Sequence, residues 1–390
     1  MRFLALLALL VLTTPAAAQS PACAHLAALV EAAPAGPVFL ASYPAAPPGP
    51  LKDTAFLYDN AAAAIALTGC GEPAKAQRIT DAILYALDHD RFWQDGRLRN
   101  AALAGAVGAG PLKLPGWWDP VHNLWVEDRY QVGSDVGNMA WAMLALLTSA
   151  DPKARAGAKR IGAWVAGWED HRGAGGFTGG TFAHEPHPEV IAWKSTEHNT
   201  DLTAAFTRLG GTAQATSARH FVEAMWNPAC ACFATGSGED GVSVNPLLAL
   251  DAQIWPLLAL PGAVKGYGSV LGTVEKRLKV GAGYAYSQAG GGVWTEGTAQ
   301  VGLLQALLGQ DVKGLAATIA AAQAPDGGFY ASDVAELPTG FMLQTDPSKP
   351  RIYPRLSHLG ATAWVALFEA RFNPFTGTHA LPIEPAADRH

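Results

Sequence analysis

One pattern constrains this chain more than any other. Six times, a polar or acidic opening leads into an Ala-rich helix that is apolar almost all round: YDNAAAAIAL from Tyr58, SDVGNMAWAMLALL from Ser134, TEHNTDLTAAF from Thr196, ALDAQIWPLLAL from Ala249, TEGTAQVGLLQALL from Thr295 and LGATAWVALFEARF from Leu359. Between them lie amphipathic stretches such as AKAQRITDAILYAL, ARAGAKRIGAWVAGW, AQATSARHFVEAMW and VKGLAATIAAAQ, apolar on one face at helical period. A helix that is apolar all round must be buried, and a one-sided helix can cover it. Alternation of the two along the chain predicts an all-α double ring, an (α/α)6 toroid of six inner and six outer helices. PACAHLAALVEAA, near the N-terminus, supplies the helix that closes the outer ring.

Composition narrows the class. Of 390 residues 49% are hydrophobic and 15% charged, too apolar for a disordered chain. The net charge of −6, with no basic cluster, excludes the electrostatic footprint of a nucleic-acid binder. Arg2, the apolar run 3–12 and Ala16-Ala17-Ala18 read as an export signal over 1–18. A single domain over 19–375 and a surface tail over 376–390 follow. No later stretch is long and uncharged enough for stable membrane insertion, so the expected location is periplasmic or secreted. Of the four cysteines, Cys23 and Cys70 are the favoured bridge, while Cys230 and Cys232 are too close for an easy one. No metal site is expected: further ligands near Cys230 and Cys232 are lacking, and Pro186 prevents a helix from presenting His184 and His187 together. No cofactor signature is present, neither a phosphate-cradling glycine loop nor a serine-nucleophile elbow.

Loop lengths orient the ring. Inner-to-outer connections are short turns, whereas the returns over roughly 88–133, 170–195, 227–248, 280–294 and 325–358 are long and rich in Gly, Trp, Tyr and His. They lead to the N-termini of inner helices, which should hold the site. The openings there carry Asp59 and Asn60, Asp135 and Asn138, Glu197 with His198, Asn199 and Asp201, Asp251 and Gln253, and Glu296, which converge on one concavity; Asp59, Asn60, His198, Asn199, Asp201, Asp251 and Gln253 are expected to bind the substrate there. Helix capping competes with chemistry for Asp59, Asp135 and Asp251. Glu is a weaker cap, so Glu197 and Glu296, each after a Thr, are the foremost catalytic residues, with Asp135 joining them.

Paired carboxylates among aromatics suit glycosidic bond cleavage, in which one acid protonates the leaving oxygen while a second carboxylate activates water or attacks the sugar. Sugar-stacking positions fall to Trp117, Trp118, Trp125, Tyr130, Trp193, Trp294 and Tyr353, in or beside the returns; Trp164, Trp168, Trp226 and Trp364 sit at helical spacing and read as packing. Gly175-Gly176-Phe177 and Asp326-Gly327-Gly328-Phe329 are turn motifs. Arg351, Arg355 and His358, before the last inner helix, either bind a carboxylated sugar or pair with a carboxylate of the site.

With the six-hairpin plan, the WKSTEHNTD run at Trp193–Asp201, VWTEGTAQ at Val293–Gln300 and the closing HLGATAW run from His358, the chain resembles bacterial six-hairpin glycosidase-like proteins. Glucoamylases, some cellulases and β-glucanases, and unsaturated glucuronyl hydrolases share that architecture. The resemblance implies an acid/base carboxylate pair at inner-helix N-termini, a poly- or oligosaccharide substrate and association with a polysaccharide system. A polysaccharide lyase or unsaturated-uronide hydrolase, and a non-catalytic glycan-binding factor, are the alternatives in the same fold.

Overall fold

A computed structural model of the chain describes residues 19–383. The export signal over 1–18 and the tail's last residues, 384–390, lie outside the described residues. The inner helices are α2 (Leu57–Gly69), α4 (Val136–Thr148), α6 (Thr196–Leu209), α8 (Asp251–Ala259), α11 (Thr295–Leu307) and α13 (Leu359–Ala370). Each packs on the next, and α13 returns to α2, closing the ring. Outside them run α1 (Pro21–Ala32), α3 (Pro73–Asp88), α5 (Pro152–Ala166), α7 (Thr212–Ala224), the pair α9 (Ala263–Tyr267) and α10 (Val270–Arg277), and α12 (Lys313–Ala321). This is the (α/α)6 toroid. The fourth outer helix is split in two, with Gly268 between the halves.

Local chemistry explains the two rings. Small residues let inner backbones approach: Ala61 to Ala66, with Ile65 among them, are wholly buried in α2. Outer helices bury one stripe, as in α7, where Ala215, Ala218, Phe221 and Val222 face inward at helical spacing. At the plain end, Pro73 and Pro152 start α3 and α5 where a missing N–H costs nothing, and Gly210 ends α6 in the left-handed region at φ 93°.

The axis is filled. Trp141, Trp255 and Trp364, from α4, α8 and α13, meet at centroid distances of 5.4 to 5.8 Å, and Phe375 packs against all three. This aromatic plug, which includes Trp364 as a packing residue, forms the floor beneath the inner-helix N-termini. The returns rise around it as short antiparallel hairpins rather than plain loops, including Trp117–Asp119 with Leu124–Val126 and Glu336–Met342 with Pro350–Pro354.

A device repeated in all six hairpins ties each return to its inner helix. In the first turn of each, one side chain accepts the N–H of an apolar core residue that follows the preceding outer helix. Asn60 takes Leu40 at 2.8 Å, Met139 Leu98 at 3.3 Å, Asn199 Phe177 at 2.8 Å, Gln253 Phe233 at 2.8 Å, Thr298 Tyr284 at 3.1 Å and Thr362 Phe329 at 3.0 Å. The glycine-phenylalanine motifs thus deliver Phe177 and Phe329 to their acceptors. Asn199→Ala would leave the Phe177 N–H and C=O unpaired in the core and should cost about 1–3 kcal/mol, read as a lower midpoint in urea unfolding.

Cys23 of α1 is bridged to Cys70, the residue after α2. Cys230 and Cys232 are bridged as well, contrary to expectation: Ala231 between them takes a left-handed φ of 48°, which turns both thiols to one side of a hairpin tip. Cys23→Ser should lower stability by roughly 2–4 kcal/mol, because that bridge closes 47 residues of sequence separation, whereas Cys230→Ser should change it little. Thermal unfolding of the two variants checks this.

Candidate active site

On the aromatic floor stands Tyr58, second residue of α2, with its ring 5.0 Å from Trp141 and its hydroxyl accepting the Trp364 Nε1–H at 2.7 Å. That hydroxyl donates to Glu296 Oε1. The other Glu296 oxygen lies 3.9 Å from His358 Nδ1, and His358 Nε2 meets Asp59 Oδ2 at 3.2 Å. Since His358 Nδ1 accepts the Ala361 N–H at 3.3 Å, the ring proton is assigned to Nε2, toward Asp59. Burial pushes the Glu296 carboxyl up to about 7 against the pull of His358 and Tyr58. Tyr43 stacks on His358 at 4.4 Å and seals this side.

Gly360 is what lets these groups meet. A Cβ there would stand 2.6 Å from Asp59 Oδ1 and 2.9 Å from His358 Cε1. Gly137 does the same on the opposite side, where a Cβ would reach 2.3 Å from His198 Cδ2. Gly360→Ala should spread Asp59, His358 and Glu296 apart and lower any turnover at least tenfold with the helix content unchanged, a result read by kinetics beside circular dichroism.

Glu197 faces a different environment. Ser195 caps α6 by accepting the His198 N–H, which leaves Glu197 free and partly open to solvent. Its carboxyl stands near those of Asp251 and Asp201, and their charges act on one another. Burial first, then the negative charge of Asp251, holds Glu197 well above the usual carboxylate range. Asp251 accepts the Ala252 N–H at 2.7 Å and is raised to about 6 by burial. Asp201 is raised well above its ordinary value by burial and by Glu197 and Asp251, and neither of its oxygens has a hydrogen-bond partner among the described residues. Asp135 makes no capping bond; burial raises it to about 7 and its Oδ1 has no partner among the described residues. His198 is held neutral by burial, near 4, with the Trp193 ring 5.6 Å away. Asn138 and Tyr130 complete this wall through a 3.3 Å contact.

The structure therefore gathers Glu197, Glu296, Asp59, Asp135, Asp201, Asp251, His198 and His358 at one end of the ring, with Tyr130, Trp193 and Tyr353 around them. Others are placed elsewhere. Asn60, Asn199 and Gln253 spend their amides on backbone groups and are not free to bind a sugar. Trp294 is only 1% exposed beneath Tyr286 and Tyr353, so it supports the wall and is no stacking surface. Arg355 lies over the Tyr330 ring at 4.1 Å, away from the carboxylates. Trp117, Trp118 and Trp125 stand on their own hairpin, where Trp118 and Trp125 face each other in register, 53% and 57% exposed.

Tyr58, Tyr43 and Tyr286 join the site beyond the residues expected from the sequence. Tyr58 was detectable, since it directly precedes Asp59 at a helix opening, whereas nothing local in the sequence marks Tyr43. No group of His, Cys, Asp and Glu among the described residues is arranged to hold a metal, and none of the described helices is long and apolar enough to cross a membrane.

No protein-family model and no curated protein matches the chain. Solved structures do. An alpha-amylase from Clostridium perfringens, 9% identical, aligns over 92% of this chain and 100% of its own with a TM-score of 0.62. Cellobiose 2-epimerase from Bacillus thermoamylovorans B4167 is 13% identical over 89% of this chain and 95% of its own, with a TM-score of 0.58. A wild-type glycosidase is 16% identical over 90% and 96%, with a TM-score of 0.59. At these identities the likeness is one of fold, and the chain has the (α/α)6 toroid that these enzymes share.

Proposed function

We propose that this chain is an exported carbohydrate-active enzyme, a glycoside hydrolase that cleaves a poly- or oligosaccharide with Glu197 as general acid and Glu296 as its base or nucleophile. The observation that carries the assignment is the contrast between the two glutamates. Glu197 stands beside the carboxyl of Asp251 and is partly open to solvent, and burial with that neighbouring negative charge keeps it protonated. Glu296 faces a hydroxyl donor and a histidine, partners that favour the ionised form. Protonation of the leaving oxygen by Glu197, with water or the sugar carbon met from the Glu296 side, is the division of labour glycosidic cleavage requires. Tyr353 and Trp193 offer ring faces for stacking. The neighbours support a saccharide substrate, since they include a glycosidase in complex with glucose and a bacterial glucoamylase complexed with acarbose. The two disulfides fit an oxidising compartment, in line with the export signal read in the sequence.

A second reading has its own observation. The Tyr58, Glu296, His358 and Asp59 chain joins hydroxyl, carboxylate and imidazole, groups suited to moving a proton at a sugar carbon, and one neighbour is an epimerase. Product masses separate the readings: hydrolysis adds one water per cleavage, elimination leaves an unsaturated end with none, and epimerisation changes no mass.

A further inference from the structure

The hairpin of Glu336–Met342 and Pro350–Pro354 stands between α12 and α13 as a wall of the site. It is anchored by Leu337, buried, and by Thr339, whose hydroxyl donates to the Arg351 carbonyl at 2.9 Å. Tyr353 on the second strand packs 5.6 Å from both Tyr286 and Trp294 and 6.1 Å from His358. Side chains alternate along a strand, so Arg351, two residues before Tyr353, shares the face that Tyr353 turns to the site. Its charge acts on Asp135, Glu197, His198 and Asp251, which stand at the N-terminal ends of α4, α6 and α8.

Arg351 is nevertheless unpaired. Among the described residues its guanidinium has no hydrogen bond and no ion pair, although carboxyl groups surround the site. The other described arginines, apart from Arg371 at a helix end, either bond to carboxylates, carbonyls or side chains, as Arg91, Arg99 and Arg208 do, or lie on an aromatic ring, as Arg355 does. An arginine present only to balance the acidic cluster would have closed an ion pair with it. Arg351 is instead exposed, on a strand, with its fork open.

We propose that Arg351 receives the carboxylate of an acidic sugar bound next to Glu197, which makes uronate-containing oligo- or polysaccharides the substrate class. The inference rests on the hydrolase reading above and names what that site selects. A planar guanidinium takes a carboxylate through two parallel N–H donors, whereas a hydroxymethyl group in the same place offers no charge.

The test uses the full chain carrying Glu197→Gln, so that bound sugar is not consumed. Glucuronate- and galacturonate-containing tetrasaccharides and their carboxyl-reduced counterparts are titrated by calorimetry, and the same series is repeated with Arg351→Gln and Arg351→Lys added. The proposal expects at least one acidic form to bind about tenfold or more tighter than its reduced partner. Arg351→Gln should erase that preference and Arg351→Lys should keep part of it, with the unfolding temperature unchanged because the side chain bonds to nothing in the fold. Equal affinity for acidic and reduced forms, or binding of neither, overturns it. Water-adding turnover of reduced sugars by the wild type, with no acidic preference, would refute Arg351's role and leave the hydrolase reading standing. Acidic preference without any product would do the reverse.

Discussion

Glu197→Gln is expected to lower kcat/KM by about 10²- to 10⁴-fold while the protein folds as before, because the amide keeps the shape of the acid and loses only its transferable proton. The loss should exceed that of any neighbouring carboxyl change except Glu296→Gln. Asp251→Asn distinguishes a catalytic acid from a merely buried one. Burial aside, Asp251 is the first group that keeps Glu197 protonated, so its replacement should move the alkaline limb of the pH–rate profile to lower pH while leaving measurable activity. The acid limb belongs to Glu296, held at about 7, and activity should fall as pH drops below that value because the base becomes protonated. A profile that is flat between pH 5 and 8 would remove Glu296 from the role.

Stability should decline as pH rises from about 4 to above 7. Asp135 and Glu296 titrate near 7 and Asp251 near 6 in the folded chain, all above their unfolded values of 3.8 to 4.5. In that window the folded state holds more protons than the unfolded state, so each step up in pH favours unfolding. The contribution is fully present below the unfolded pKa values and is lost as pH climbs through the folded ones. Each tenfold difference in proton affinity between the two states is worth about 1.4 kcal/mol, so any one of the three groups suffices for a measurable slope. Asp201 lies on the same side of the balance, raised by burial and by two neighbouring carboxyls and without a bond to either oxygen among the described residues. Asp201→Asn should therefore raise the unfolding temperature at pH 8 by several degrees and have little effect at pH 4. Unfolding curves of wild type and variant across pH 4 to 8 would show a gap that widens with pH; a constant gap would contradict this picture of the cluster.

The ring was legible because burial writes itself into composition. An inner helix such as Ala61–Leu67 has no polar face, and an outer helix such as α7 has one, so the alternation specified the architecture and the end bearing the site. The roles within the first turns were less legible for a geometric reason. Neighbouring helix residues differ by about 100° in direction, so Glu197 turns toward the ring's open end while Asn199 turns to the Phe177 backbone, although both are polar and nearly adjacent. Asn60 and Gln253 were misassigned on the same ground. The repeat could have exposed them, since Met139, Thr298 and Thr362 stand at equivalent places where no sugar contact would be sought. Trp294 was misplaced because loop position alone does not show that Tyr353, far along the chain, covers it. The Cys230 to Cys232 bridge depends on one left-handed residue that composition does not reveal.

Cleavage of a glycosidic bond by addition of water, carried out by two glutamates from different inner helices, is most directly tested by mass spectrometry of products. A panel of neutral and uronate-containing bacterial polysaccharides is treated with wild type, Glu197→Gln and Glu296→Gln side by side. The expected result is fragments from the wild type that each carry one added water, and none above background from either variant. Unsaturated fragments, or equal yields from wild type and Glu197→Gln, would refute the assignment.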